Sequence, residues 1–198
     1  MTEIPIKSDK STLRHEMRAR RTGIERRQRQ AWAAQLNQHL LAMPLVKTAQ
    51  RVAGYLAFDG EPDIRFALTQ LHRRGIEVYL PVVAEGPEPL LHFRRWSPAT
   101  PLQANRYGIS EPVGTRSEAL ETMQVVLAPL VAWDRCGRRL GMGGGYYDRT
   151  LAALPADHQV SSVGIAWSAQ EVGELPEESW DQRMHAMVLE TGWFTCPV

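Results

Sequence analysis

The 198-residue chain carries 23 Lys+Arg against 22 Asp+Glu, with 43% hydrophobic and 23% charged residues. These values exclude a disordered chain, a uniformly basic nucleic-acid coat and an acidic tail protein. Apolar runs such as 125–133 are too short to cross a bilayer, and the opening MTEIPIKSDK has no apolar signal core. Cys136 and Cys196 form neither a metal-like spacing nor a disulfide framework. The expectation is one cytoplasmic domain over 1–198, monomeric, with no nucleic-acid or membrane partner.

The balance is uneven along the chain. Residues 1–29 hold nine Lys/Arg and four Asp/Glu, and the remainder fourteen and eighteen. The basic excess is therefore N-terminal, where it serves either as a solvated helix face or as contacts to phosphate.

Ser8 or Asp9 is placed to cap a helix beginning near Lys10. A break at Thr22-Gly23 separates it from a second helix over about 24–42, on which Trp32, Leu36, Leu40 and Met43 form a core-facing stripe ended by Pro44. Residues 51–57 (RVAGYLA) read as a buried strand, FDGEPD as a loop, 64–74 as a helix and EVYLP as a strand. Strand–helix–strand in this order requires a crossover and a parallel pairing. Residues 90–96 suggest another strand, with loops at 86–89, 98–101 and 108–114. Apolar strands are expected at 125–129 and 160–166, with a helix from Tyr146 to about Leu154, stopped by Pro155. The fold class is α/β: a single Rossmann-like, mostly parallel twisted sheet with helices on both faces, the helices of 1–45 preceding a sheet core over 46–198. Ligands of such sheets gather beyond the carboxyl ends of the strands, here 56–63 and 130–148.

The strongest local signal is GRRLGMGGGYYD at 137–148, between strand VVLAP and a helix, with five glycines in twelve residues. Glycine permits positive φ and lets backbone N–H groups approach an anion unobstructed. Arg138 and Arg139 can add positive charge, and Asp148 can hold Mg²⁺, which favours carboxylate oxygens. No Walker A motif fits, because no lysine follows Lys47, and the spacing is GxGxG rather than GxGxxG. The six histidines show no HExxH or other ligand spacing. Trp193-Phe194 and Trp32 are expected to pack against the core.

The segment APLVAWDRCGRRLGMGGGYYDR, preceded by Lys10-Ser-Thr-Leu-Arg14 and followed by Trp180-Asp181, resembles the signature of the 5-formyltetrahydrofolate cyclo-ligase family. The likeness touches almost the whole chain and is weakest over 83–105. It implies ATP-dependent closure of 5-formyltetrahydrofolate to 5,10-methenyltetrahydrofolate. By that resemblance Lys10 and Arg14 contact ATP phosphates, while Arg139 with Leu140, Gly141, Met142, Gly143, Gly144, Gly145, Tyr146 and Tyr147 cradles the triphosphate. Asp148 and Asp181 hold Mg²⁺, with Arg139 and Asp148 catalytic. Leu56, Glu61, Tyr107 and the loop from Met142 to Tyr146 bind the folate. Some members carry Arg and Lys where this chain has Met142 and Gly144, so transition-state charge here rests on Arg139, Lys10, Arg14, Mg²⁺ and backbone N–H groups. The competing reading is a nucleotide- or folate-binding regulatory module on the same fold without turnover.

Overall fold

Two helices rich in arginine and glutamine open the chain, each burying a narrow stripe. The computed structural model describes residues 9–84 and 90–197; Ser8 and the loop expected at 86–89 fall outside them. Helix α1 (Lys10–Gly23) buries Leu13, Met17 and Arg21. Asp9 occupies its N-cap, but its side chain makes no capping bond; only the Asp9 carbonyl contributes, accepting from the Leu13 amide at 3.0 Å. Helix α2 (Arg26–Ala42) starts two residues later than the spacing suggests and buries Leu36 and Leu40, with Trp32 partly buried against the same core. Pro44 ends α2 and also opens a short helix, α3 (Pro44–Thr48), at a first-turn position where its missing N–H forfeits no hydrogen bond.

Strand β1 is Arg51–Ala53, and Gly54 N–H donates to Tyr79 O just beyond it. The strand expected over 51–57 thus stops at Ala53, and beyond it Tyr55 and Leu56 become cavity wall. Helix α4 (Arg65–Arg73) crosses over to β2 (Glu77–Val83), which pairs parallel to β1 in register Val52↔Val78. Strand β3 (Leu91–Trp96) returns antiparallel to β2. Residues 108–114 are not wholly loop: β4 (Leu102–Ala104) and β5 (Ser110–Pro112) form a separate two-stranded ribbon. Strand β6 (Ser117–Glu118) pairs with β3, and β7 (Val125–Pro129) lies parallel to β1. A second ribbon, β8 (Ala132–Trp133) with β9 (Arg139–Leu140), precedes helix α5 (Tyr146–Ala152), which ends two residues short of Leu154. Strands β10 (Ser161–Ile165), β11 (Ala186–Leu189) and β12 (Gly192–Thr195) complete the chain.

The main sheet has the order β12-β11-β10-β7-β1-β2-β3-β6. Its five central strands are parallel, and the outer pairings β11–β12, β2–β3 and β3–β6 are antiparallel. Side chains alternate faces along each strand. Val125, Leu127, Val163, Ile165 and Val188 bury one face with α2, α3 and α4, while Val126, Ala128, Met187 and Leu189 bury the other with Leu151 of α5. Helix α1 joins neither layer. Its Leu13 and Met17 pack with Val131, Ala132, Leu140 and Leu175, so the basic helix lies across the ends where β7 and the β8–β9 ribbon emerge. Phe194 packs inward as expected; Trp193 does not, being 40% exposed. In an edge strand successive side chains take opposite faces, and only one of them meets the core. Among the described residues no helix is long and apolar enough to cross a membrane.

Candidate active site

A cavity of about 820 Å³ opens beyond the carboxyl ends of β1, β2 and β7. Arg14, Leu56, Glu61, Tyr107, Asp181 and the stretch from Arg139 to Asp148 all line it. Of the residues that the resemblance assigns to a ligand, Lys10 alone is not in the lining, and its ammonium bonds Asp181, which is.

The cationic side is built by α1, β9 and α5. Residues 10, 14, 17 and 21 are spaced for one helical face. Lys10 Nζ lies 2.6 Å from Asp181 Oδ2 and 3.3 Å from Glu178 Oε2. Partial burial works against the Lys10 charge, yet the bonds to Asp181 and Glu178 hold its ammonium above the ordinary value. One turn on, Arg14 Nε donates to the Gly141 carbonyl at 2.9 Å and its guanidinium faces Gly143. Arg139 Nη2 donates to Asp148 Oδ1 at 2.6 Å. Burial lowers the affinity of the Arg139 guanidinium for its proton, opposed by Asp148. Its Nε is buried without a partner among the described residues, as is the Tyr147 hydroxyl.

The glycine turn behaves as its composition requires. Gly143 and Gly145 have φ of 99° and 65°, a region side chains rarely enter. Gly145 is the left-handed residue before α5. Two carbonyls of this turn are held by arginines, Gly141 by Arg14 and Gly144 by Arg149 Nη2 at 2.8 Å. Arg138, expected to join the anion site, turns away. It bonds Asp134, Glu174 and Glu177 and so ties the turn to the 174–177 segment.

The apolar side comes from other elements: Leu80, Pro81 and Val83 of β2, Leu91 of β3, and Tyr55, Leu56 and Phe58 after β1. Glu61 is set into it with its side chain 9% exposed. Its Oε2 accepts from Phe58 N–H at 3.0 Å. Burial outweighs that bond and the nearby Arg21, pushing the Glu61 carboxyl up to about 7. Tyr107, from the β4–β5 ribbon, reaches α5: its hydroxyl is 2.6 Å from that of Tyr146, with the rings edge-on.

Sequence reading missed Arg21 and Asp59. Arg21 is fully buried and bonds Leu130 O at 3.2 Å and Asp59 Oδ2 at 2.9 Å. Its signal was present, since it continues the stripe Leu13, Met17 as a charge where an apolar residue belongs. Trp180, 63% exposed on the cavity rim, was noted only for its place beside Asp181.

The chemistry of the donor set suits a Mg²⁺ ion shared with a ligand. Among the described residues no three His, Cys, Asp or Glu side chains gather into a closed metal site. Asp148 and Asp181 nevertheless both line the cavity, and Asp148 Oδ2 has no hydrogen-bond partner among the described residues while Oδ1 takes Arg139 and the Gln182 amide. Mg²⁺ commonly binds through one or two carboxylates, substrate phosphates and retained waters.

Comparisons with known proteins point to one family. Residues 6–190 match the model of the 5-formyltetrahydrofolate cyclo-ligase family. The 5-formyltetrahydrofolate cyclo-ligase of Escherichia coli K12 is 38% identical over 174 residues, covering 87% of this chain and 95% of that protein. The Haemophilus influenzae cyclo-ligase is 36% identical over 171 residues, covering 85% and 91%. The solution structure of Aquifex aeolicus 5,10-methenyltetrahydrofolate synthetase superimposes with a TM-score of 0.81 at 31% identity, covering 94% of this chain and 92% of that one.

Proposed function

The chain belongs to the 5-formyltetrahydrofolate cyclo-ligase family, and from that premise we propose that it closes 5-formyltetrahydrofolate to 5,10-methenyltetrahydrofolate at the expense of ATP, releasing ADP and phosphate. The observation that carries the reading is one cavity lined both by Arg14, Arg139, Asp148, Asp181 and the glycine turn and by apolar wall with a buried glutamate. A triphosphate and a reduced pterin need those two chemistries side by side.

A formamide carbon is a poor electrophile, and its oxygen a poor leaving group. The formyl oxygen attacks the γ-phosphorus, ADP departs, and the carbon becomes part of an iminium phosphate. The substrate's own anilinic nitrogen then attacks that carbon and gives up its proton. Phosphate leaves with the former formyl oxygen as the five-membered ring closes. The nucleophile is tethered within the substrate, so the protein's task is alignment and charge stabilisation. Lys10 and Arg14 take the phosphates, and the turn from Leu140 to Tyr147 surrounds them. Arg139, already desolvated, meets charge at the transferred phosphoryl. Asp148 and Asp181 would hold Mg²⁺, which neutralises phosphate charge when bound. Leu56, Glu61, Tyr107 and Met142 to Tyr146 seat the folate, with Glu61 accepting from pterin N–H groups once ionised. The helices of 1–45 and the sheet core of 46–198 act as one domain, a cytoplasmic monomer in this reading.

Purified protein incubated with 5-formyltetrahydrofolate and MgATP should accumulate the methenyl chromophore only when ATP is present. Binding of either ligand without turnover would overturn the assignment in favour of a regulatory module.

A further inference from the structure

We infer that Arg21 is the positioning residue of the folate side of the cavity: from inside the protein it clamps the Asp59–Glu61 turn to the end of β7, so that the Glu61 carboxylate is aimed at the substrate. The inference rests on the proposed reading for Glu61 as a folate contact.

Four segments meet at this guanidinium. Arg21 belongs to α1, the helix that carries Lys10 and Arg14 to the phosphate side. Its Nη1 donates to Leu130 O at 3.2 Å, at the exit of β7, and lies 3.7 Å from Glu61 Oε1. Its Nη2 donates to Asp59 Oδ2 at 2.9 Å and lies 4.0 Å from Met142 Sδ in the glycine turn. No part of Arg21 reaches solvent, and its Nε has no partner among the described residues. A guanidinium desolvated to this degree is costly to place and persists only where its geometry is enforced.

The turn it grips is itself strained. Asp59 has φ 51°, the one non-glycine residue with positive φ among the described residues. Such a conformation persists only when its surroundings determine it. Here Arg18 and Arg21 both bond the same Asp59 oxygen at 2.9 Å. Burial works against the Asp59 charge, yet the two arginines hold its carboxyl below the usual range. From the other side Trp167 Nε1 donates to Gly60 O at 2.9 Å. Glu61 is thus fixed by neighbours on each flank rather than by its own few bonds.

The electrostatics run the same way. Arg21 from α1 favours the Glu61 carboxylate and Asp59 from its own turn disfavours it. Buried Tyr55 and Tyr147, from the β1 exit and α5, face it as neutral phenols. Arg26 and Arg29 of α2, with Asp63, line the shallow outer groove that the far side of Glu61 also touches. Among the described residues only Arg21 lies at ion-pair distance from this carboxylate.

Carbon-13 labelling of glutamate carboxyls, with Glu61→Gln to assign the resonance, reads the Glu61 midpoint without any assay of turnover. Arg21→Met should raise that midpoint by about one unit, and Asp59→Asn should lower it, because the two neighbours act with opposite sign. Arg21→Lys keeps the charge but cannot span Leu130, Asp59 and Glu61 together, so its midpoint should stay nearer wild type. In steady-state assays beside the wild type, both Arg21 variants should raise KM for the folate about tenfold, with little change in KM for ATP. Should Arg21→Met fail to fold, Asp59→Asn still carries the midpoint readout and Arg21→Lys the KM readout. A midpoint unmoved in folded Arg21→Met or Asp59→Asn, or equal rises in the two KM values in the Arg21 variants, would overturn the inference. A wild type that binds folate but does not turn over would instead refute the proposed reaction, leaving the midpoint shifts to be judged alone.

Discussion

Arg139 and Asp148 form a 2.6 Å ion pair in which the base is 3% exposed and the acid 22%. One partner is sealed in protein while the other looks into the cavity. The pair is therefore poised to open when an anion competes for the guanidinium and a cation for the carboxylate. Substitution of either residue should separate chemistry from folding. Asp148→Ala and Arg139→Ala are each expected to cut kcat by about 10²–10³, the usual cost of removing a preorganised charge at a phosphoryl centre. Far-ultraviolet circular dichroism of both variants should remain that of the wild type. Near-normal kcat in either folded variant would remove that residue from the mechanism.

In the proposed reading, Lys10 and Arg14 of α1 serve the nucleotide and not the folate. Lys10→Ala and Arg14→Ala should raise KM for ATP about tenfold or more, since hydrogen bonds to charged groups contribute roughly 1.5–3 kcal/mol. KM for 5-formyltetrahydrofolate should change far less. A reversed split, read from initial rates at saturating co-substrate, would move both residues away from the phosphates.

Glu61 carries a pH signature with a defined sign. Its carboxyl sits at about 7 in the folded protein against an ordinary 4.5. The unfolded chain therefore releases this proton first, and the contribution of Glu61 to stability falls as pH rises from 4.5 towards 7. Glu61→Gln removes the effect. Its stability, followed by Tm, should gain on the wild type across that window and run parallel to it above pH 7, a free-energy difference of up to about 3 kcal/mol at 1.36 kcal/mol per unit. Folate KM of the wild type should fall as pH rises through 7, when the carboxylate forms. A flat difference in Tm would show that the carboxyl is not held neutral.

Asp134 shapes the glycine turn from outside the cavity. It is 1% exposed and accepts from the Cys136, Arg138 and Leu175 amides and from Arg138 Nη1. Asp134→Ala orphans the three amides, while Arg138 Nη1 keeps Glu174, and should cost about 3–5 kcal/mol at roughly 1–3 kcal/mol per unsatisfied donor. Urea denaturation measures it. A loss under 1 kcal/mol would mean that water or Glu177 replaces those bonds.

Periodicity made the central sheet legible. Strands β1, β2, β7 and β10 are short apolar runs between turn residues, and α4 between β1 and β2 forces their parallel pairing. The glycine turn was equally plain, because a composition of that kind has few other uses. The return of β3 as an antiparallel strand was not, since residues 90–96 carry no sequence pattern that dictates direction. The β4–β5 ribbon was hidden for a similar reason: β4 is exposed throughout and has no alternating apolar face to read.

By itself the sequence determined the alternation of elements, the glycine turn and the basic character of the N-terminal segment, all set by spacing and composition over a few residues. Only tertiary structure decided which charges meet. The 171 positions separating Lys10 from Asp181, and the 38 separating Arg21 from Asp59, are closed by the packing of α1 across the strand exits. Arg138 and Arg139 are adjacent in the chain, yet one pairs with Glu177 outside and the other with Asp148 at the cavity. Arg138 lies just before β9 and Arg139 is its first residue, and which side holds the cavity is set by the fold around them.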